Sequence, residues 1–102
     1  MNFFSWKQNE VLFVNEFGIL EPAKSKAQIP DLILIPTLAF DKEKFRLGYG
    51  KGFYDRYLNK YLKQNKDILT VGIAFSFQKH HKLPINQNDV RLDYILTEKG
   101  IY

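Results

Sequence analysis

Asp31-Leu32-Ile33-Leu34-Ile35-Pro36 is an apolar run rich in β-branched residues, bounded by Pro30 and Pro36. It is too short for a helix and carries apolar residues toward both sides, the pattern of a buried parallel strand. Ile68–Phe75 and Asp93–Thr97 read as two more strands of this kind. Between the first and second, Tyr54, Tyr57, Leu58, Tyr61 and Leu62 recur at three- and four-residue spacing, while Asp55, Arg56, Asn59, Lys60 and Lys63 lie mostly off that stripe. The spacing predicts an amphipathic helix over residues 51–65. Strand, helix, strand, loop, strand defines an α/β fold, a small parallel-stranded sheet with helical cover. Upstream, Val11–Val14 reads as a short strand and Glu21–Ala27 as a loop; Thr37–Phe45, with Asp41, Lys42, Glu43 and Lys44, reads as a second loop.

The chain has 102 residues, the size of one domain, and 45% of them are hydrophobic. A single domain over residues 1–102, burying roughly 65% of its unfolded surface, is therefore expected. There are no cysteines, which excludes a disulfide framework, a thiolate zinc site and a cysteine nucleophile. The longest apolar runs are four residues, so no membrane span is expected, and the polar residues among the first ten do not form a secretory signal. A soluble, cytoplasmic protein is the resulting expectation. The net charge of +4 comes mostly from twelve dispersed lysines, the distribution of a solvated surface. His80-His81 has no third ligand at a useful spacing and reads as a pair of exposed loop histidines.

The chemically informative stretch is Arg46-Leu47-Gly48-Tyr49-Gly50-Lys51-Gly52-Phe53-Tyr54-Asp55-Arg56. Glycines at alternate positions let the backbone approach a ligand closely. They open into a helix whose first N–H groups are unpaired and partly positive, and Arg46 and Lys51 add full charges beside them. Such a turn suits phosphate. It is neither a dinucleotide fingerprint, since Phe53 replaces the third glycine, nor a Walker A loop, since no Ser or Thr follows Lys51. Asp55, in the first helical turn, either complements the helix dipole or holds Mg²⁺ on a bound phosphate. Asp89, within Asn86-Gln87-Asn88-Asp89, reads by itself as a turn residue.

Taken with Phe17–Pro22, Asp31–Pro36, Ala39-Phe40-Asp41, Gly72–Phe75, Gln78, Pro84, Asn88-Asp89 and Asp93, this stretch resembles the 5-formyltetrahydrofolate cyclo-ligases, also called 5,10-methenyltetrahydrofolate synthetases. The resemblance implies an enzyme that takes ATP as co-substrate, with Mg²⁺ as cofactor. The formyl oxygen of 5-formyltetrahydrofolate is phosphorylated, N10 attacks the activated carbon, and phosphate leaves to give 5,10-methenyltetrahydrofolate and ADP. By position, Arg46, Leu47, Gly48, Tyr49, Gly50, Lys51, Gly52, Phe53 and Tyr54 would wall the ATP phosphates. Arg46 and Lys51 would supply the catalytic charge, and Asp55 and Asp89 would match the Mg²⁺ ligands. Phosphoryl transfer needs mainly positioning and charge neutralisation, which these residue types provide. Tyr49, Phe53 and Tyr54 could stack on a ring of the substrate, although the helix stripe also gives Tyr54 a place in the core.

Members of that family run close to twice this length, so the resemblance covers their C-terminal half and leaves out the half that completes the active site. A separate N-terminal chain or self-association would then be the expected partner. Two other readings compete with an enzyme half: a catalytically silent phosphate- or RNA-binding module, and a non-functional fragment. The dispersed lysines and the lack of a recognised RNA-binding signature argue against nucleic acid. A fragment whose sheet lacks partner strands should expose edges and apolar surface.

Overall fold

The computed structural model describes residues 1–48, 52–64 and 67–102, and the chain divides into two units, Met1–Pro30 and Asp31–Tyr102. In the first, β1 (Leu12–Val14) pairs antiparallel with β2 (Leu20–Pro22). Asn15 builds the intervening turn: its Oδ1 accepts the N–H groups of Phe17 (2.9 Å) and Ile19 (3.0 Å). Gly18 closes that turn at φ 74°, a conformation that disfavours a side chain. Glu21 and Pro22, expected in a loop, instead pair with Phe13 and Leu12. Both strands of a lone hairpin are edges, which is where a strand tolerates proline.

The second unit begins with β3 (Leu32–Pro36) and β4 (Ala39–Asp41), followed by β5 (Arg46–Leu47). The helix α1 (Phe53–Leu62) and the strand β6 (Leu69–Ile73) come next. A single 3₁₀ turn at Ser76–Gln78 leads to β7 (Lys79–His80), and β8 (Tyr94–Thr97) and β9 (Gly100–Ile101) close the chain. One sheet has the order β3-β6-β8-β9, with the first three strands parallel and β9 returning antiparallel. A second sheet has the order β5-β4-β7, in which β4 runs parallel to β7. The mixed α/β architecture with parallel strands agrees with the sequence reading. The helix within the described residues is shorter than 51–65, and Ala74 and Phe75 lie beyond the end of β6.

Further sequence expectations need correction. Thr37–Phe45 is not simply a loop, because Ala39, Phe40 and Asp41 form the fully buried middle strand of the second sheet. Its polar neighbours, Lys42 to Lys44, hid a three-residue strand from any periodicity argument. His80 likewise belongs to β7, paired in register with Asp41, although both histidines are exposed as expected.

The parallel strands are also not buried on both faces. The register aligns Ile35, Gly72 and Ile95 across the inner face, where both isoleucines are 0% exposed. With Ile33, Phe40, Leu58 and Leu92 they belong to the core, each large side chain worth about 1.5–3 kcal/mol when fully buried. Alternation sends Leu32, Leu34 and Pro36 to the opposite face, in register with Leu69, Val71 and Ile73. Tyr94 and Leu96 continue that row, as does Ile101. Of these, Val71 alone is buried, shielded by Leu34 on one side and Tyr94 on the other. Among the described residues no helix is long and apolar enough to cross a membrane.

Candidate functional site

The site is built outward from Asp41, whose side chain ends β4 in a buried position. Its Oδ1 accepts the N–H groups of Glu43 (3.0 Å) and Phe45 (3.1 Å), and its Oδ2 accepts that of Leu83 (3.2 Å). Three backbone donors on one carboxylate make a tight connection into β5, tight enough to hold Lys44 at φ 70°. The carbonyl of Lys44 in turn accepts the N–H of Leu92.

That connection delivers Arg46, whose side chain is only 6% exposed. One terminal nitrogen donates to the carbonyl of Pro36 (3.2 Å), the other lies 4.0 Å from Asp55 Oδ2, and the guanidinium sits 5.5 Å from the ring centre of Tyr54. Its Nε–H is buried and has no acceptor among the described residues. A Cβ at Gly48 would run into the Arg46 guanidinium, so any side chain there would displace that group from its present position.

Asp55 comes from the first turn of α1, where Gly52 at φ 65° leads into the helix without a side-chain cap. Its Oδ1 accepts the N–H of Val90 (3.2 Å), fastening the helix to the segment that carries Asp89. Asp89 does act as a turn residue, its Oδ2 accepting the Asn86 N–H at 2.9 Å. Asn59 ties the same turn to the helix by donating to the Asn88 carbonyl (2.7 Å). Gly52, Asp55, Arg56, Asn59, Asn86 and Asp89 thus line one open cleft of about 580 Å³.

The structure therefore brings Arg46, Asp55 and Asp89 to one end of α1. Tyr54 packs beside Arg46, partly exposed rather than buried in the core, and Phe53 is half exposed under the Arg56 guanidinium (5.3 Å). Leu47 is exposed on β5 and does not line the cleft. Tyr49, Gly50 and Lys51 lie outside the described residues. Sequence reasoning missed Asn59, Asn86 and Asn88. Asn59 was detectable, because it follows Asp55 by four positions on the same helical face; Asn86 and Asn88 were legible as turn residues, but their place on the cleft depends on the turn meeting α1.

The cleft offers two carboxylates, an uncapped helix N-terminus and the Arg56 guanidinium, with Arg46 beside Asp55 outside its lining, a set suited to a polyanion held through a cation. Among the described residues no group of three or more His, Cys, Asp and Glu side chains could hold a metal alone. Mg²⁺ does not require one, because it commonly takes one or two carboxylates together with phosphate oxygens and water.

The family model for 5-formyltetrahydrofolate cyclo-ligases matches residues 1–98. The chain belongs to this family. A probable 5-formyltetrahydrofolate cyclo-ligase of Schizosaccharomyces pombe is 32% identical over 110 residues, covering 94% of this chain and 54% of the relative. The 5-formyltetrahydrofolate cyclo-ligase of Mycoplasma pneumoniae is 41% identical over 91 residues, covering 88% of this chain and 50% of the relative. The solved structure of a 5,10-methenyltetrahydrofolate synthetase from Aquifex aeolicus superimposes with a TM-score of 0.70 at 40% identity, over 93% of this chain and 47% of that one. The chain thus spans about half the length of these cyclo-ligase relatives.

Proposed function

We propose that residues 1–102 act as the ATP- and magnesium-binding half of a 5-formyltetrahydrofolate cyclo-ligase. The observation that carries this reading is the convergence of Arg46, Asp55 and Asp89 on the N-terminal end of α1 in a chain of that family. The residues fit the groups they would hold. Among the described residues the buried Nε–H of Arg46 has no acceptor, a deficit of about 1–3 kcal/mol that a phosphate oxygen placed beside it would remove. Asp55 Oδ2 and Asp89 Oδ1 make no hydrogen bond among the described residues and would be the oxygens to hold Mg²⁺. Bound there, the ion would neutralise charge on the ATP phosphates.

In the proposed reaction the formyl oxygen attacks the γ-phosphorus of ATP and ADP leaves. N10 of the folate then bonds to the activated formyl carbon and loses its proton. Phosphate departs with the former formyl oxygen, leaving the methenyl bridge between N5 and N10. Arg46 stabilises charge on the transferring group. Isothermal titration of the chain with Mg-ATP tests the binding step. Weak binding that disappears in Asp55→Ala is expected, and equal heats from both proteins would refute the metal assignment. Methenyl formation is expected only when the other half of a relative is added; full turnover by this chain alone would show that half to be dispensable.

A further inference from the structure

The turn that carries Asp89 is stiff within itself. Asn86 Oδ1 accepts the Asn88 N–H (2.8 Å), Asp89 Oδ2 accepts the Asn86 N–H (2.9 Å), and the Asn86 carbonyl accepts the Asp89 N–H (3.1 Å). Bonds closed within four residues keep the turn together as one unit. The place of the Asp89 carboxylate is then set by what fastens that unit to its surroundings.

Two hydrogen bonds fasten it to α1. The Val90 N–H donates to Asp55 Oδ1 (3.2 Å), and Asn59 Nδ2 donates to the Asn88 carbonyl (2.7 Å). The two differ in what a cation would do to them. The first ends on a carboxylate proposed as a metal ligand, so charge drawn toward an ion at Oδ2 weakens Oδ1 as an acceptor. The second is made by a neutral amide, whose nitrogen is its donor whether or not an ion is bound. Asn59 stands one helical turn after Asp55 on the same face of α1. One helix thus carries Asp55 directly and holds Asp89 through Asn59 and the backbone of Asn88.

Fixed spacing of this kind bears on which ion is accepted. Mg²⁺ demands near-octahedral geometry with oxygens at about 2.0–2.1 Å, whereas Ca²⁺ tolerates about 2.3–2.6 Å and irregular arrangements. Two carboxylates on separate chain segments favour the smaller ion only while their spacing is held. We propose that Asn59 is a positioning residue that sets cation selectivity: by clamping the Asp89 turn to α1, it fixes the two carboxylates for Mg²⁺ in preference to Ca²⁺. The inference rests on the metal assignment made above, and Asn59 acts through Asn88 rather than on the ion.

The test is calorimetric titration of the full chain with ATP, in chelator and at stepped concentrations of magnesium or calcium. Wild type should reach half-saturation at less magnesium than calcium. In Asn59→Ala the half-saturating magnesium should rise about three- to tenfold, the worth of one net hydrogen bond. The half-saturating calcium should rise by less than about twofold, and ATP affinity in chelator should not change. Asn59→Leu, which fills similar space without a donor, should behave as alanine does, and Asn59→Gln, which keeps the donor, should recover part of the selectivity. Alanine and leucine are stronger helix formers than asparagine, so α1 is not put at risk, and circular dichroism melts without ligand check the fold. Equal losses with magnesium, with calcium and in chelator would show a merely structural role and overturn the inference. Wild-type selectivity in Asn59→Ala and Asn59→Leu would overturn it while leaving the metal assignment standing. Wild-type ATP binding indifferent to magnesium would instead refute the metal assignment, and the inference with it.

Discussion

Asp55→Asn preserves the shape of the side chain and its acceptor for the Val90 N–H, and removes only the charge facing Arg46 at 4.0 Å. At that separation two unit charges attract by about 4 kcal/mol at an effective dielectric of ~20. Exposed pairs yield at most about 1 kcal/mol in practice, whereas breaking a buried pair costs about 3–5. This pair lies between those regimes, with side chains 6% and 20% exposed and a separation at the long end for an ion pair. The expected loss is therefore about 1–3 kcal/mol, which lowers the melting temperature of a chain this size by roughly 5–20 °C. The same substitution should abolish the extra thermal stabilisation that magnesium adds to ATP, since ligand-induced shifts follow differential binding to the folded state. Thermal melts by circular dichroism, with ATP in magnesium and in chelator, measure both effects. A variant that melts within 1 °C of wild type and responds equally to magnesium would refute both the pairing energetics and the metal assignment.

Gly72→Ala would place a Cβ 2.8 Å from the Cδ1 atoms of Ile95 and Leu92. Those are flexible ends, but their residues are 0% and 2% exposed and have nowhere to retreat, so a loss of about 1–3 kcal/mol is expected in urea denaturation; a neutral result would mean the inner face is loosely packed. Glu98 accepts the N–H and hydroxyl of Ser76 at 2.7 and 2.9 Å, and these bonds hold its carboxyl below the ordinary value of 4.5. Its contribution to stability is present above that value and lost as the pH falls through the lowered one. Glu98→Gln should therefore melt below wild type at neutral pH, with the gap closing on acidification. A gap that is constant with pH would show that the Ser76 bonds do not depend on the carboxylate charge.

The parallel strands and the helix were legible because each is long enough for its hydrophobic pattern to stand out. β4 was not: its three buried residues are followed at once by Lys42, Glu43 and Lys44, so no window averages to a strand. The two-sided burial inferred for Leu32–Ile35 failed for a different reason. An apolar run reports hydrophobic side chains on both faces, whereas burial depends on what packs against each, and Leu32 and Leu34 are left 47% and 58% exposed. At the site, glycine spacing and charge marked Arg46 and Asp55, and the family resemblance brought Asp89 beside them. The buried Nε–H of Arg46 and the tie from Asn59 to Asn88 exist only once α1 and the turn at residues 86–89 have met.

The carboxylate of Asp41 has a consequence for how this fold can vary. One of its oxygens fixes the hairpin that ends in Arg46, and the other fixes Leu83, from which the chain runs on to Asp89. The Arg46 strand and the segment leading to the Asn86–Asp89 wall of the cleft thus hang from a single pivot. An insertion between residues 41 and 46, or between 83 and 89, would shift one arm while the other stayed in place. Loop length should therefore be tightly restricted in those two segments and freer at the Asn15–Ile19 turn, whose hydrogen bonds among the described residues stay within its own hairpin.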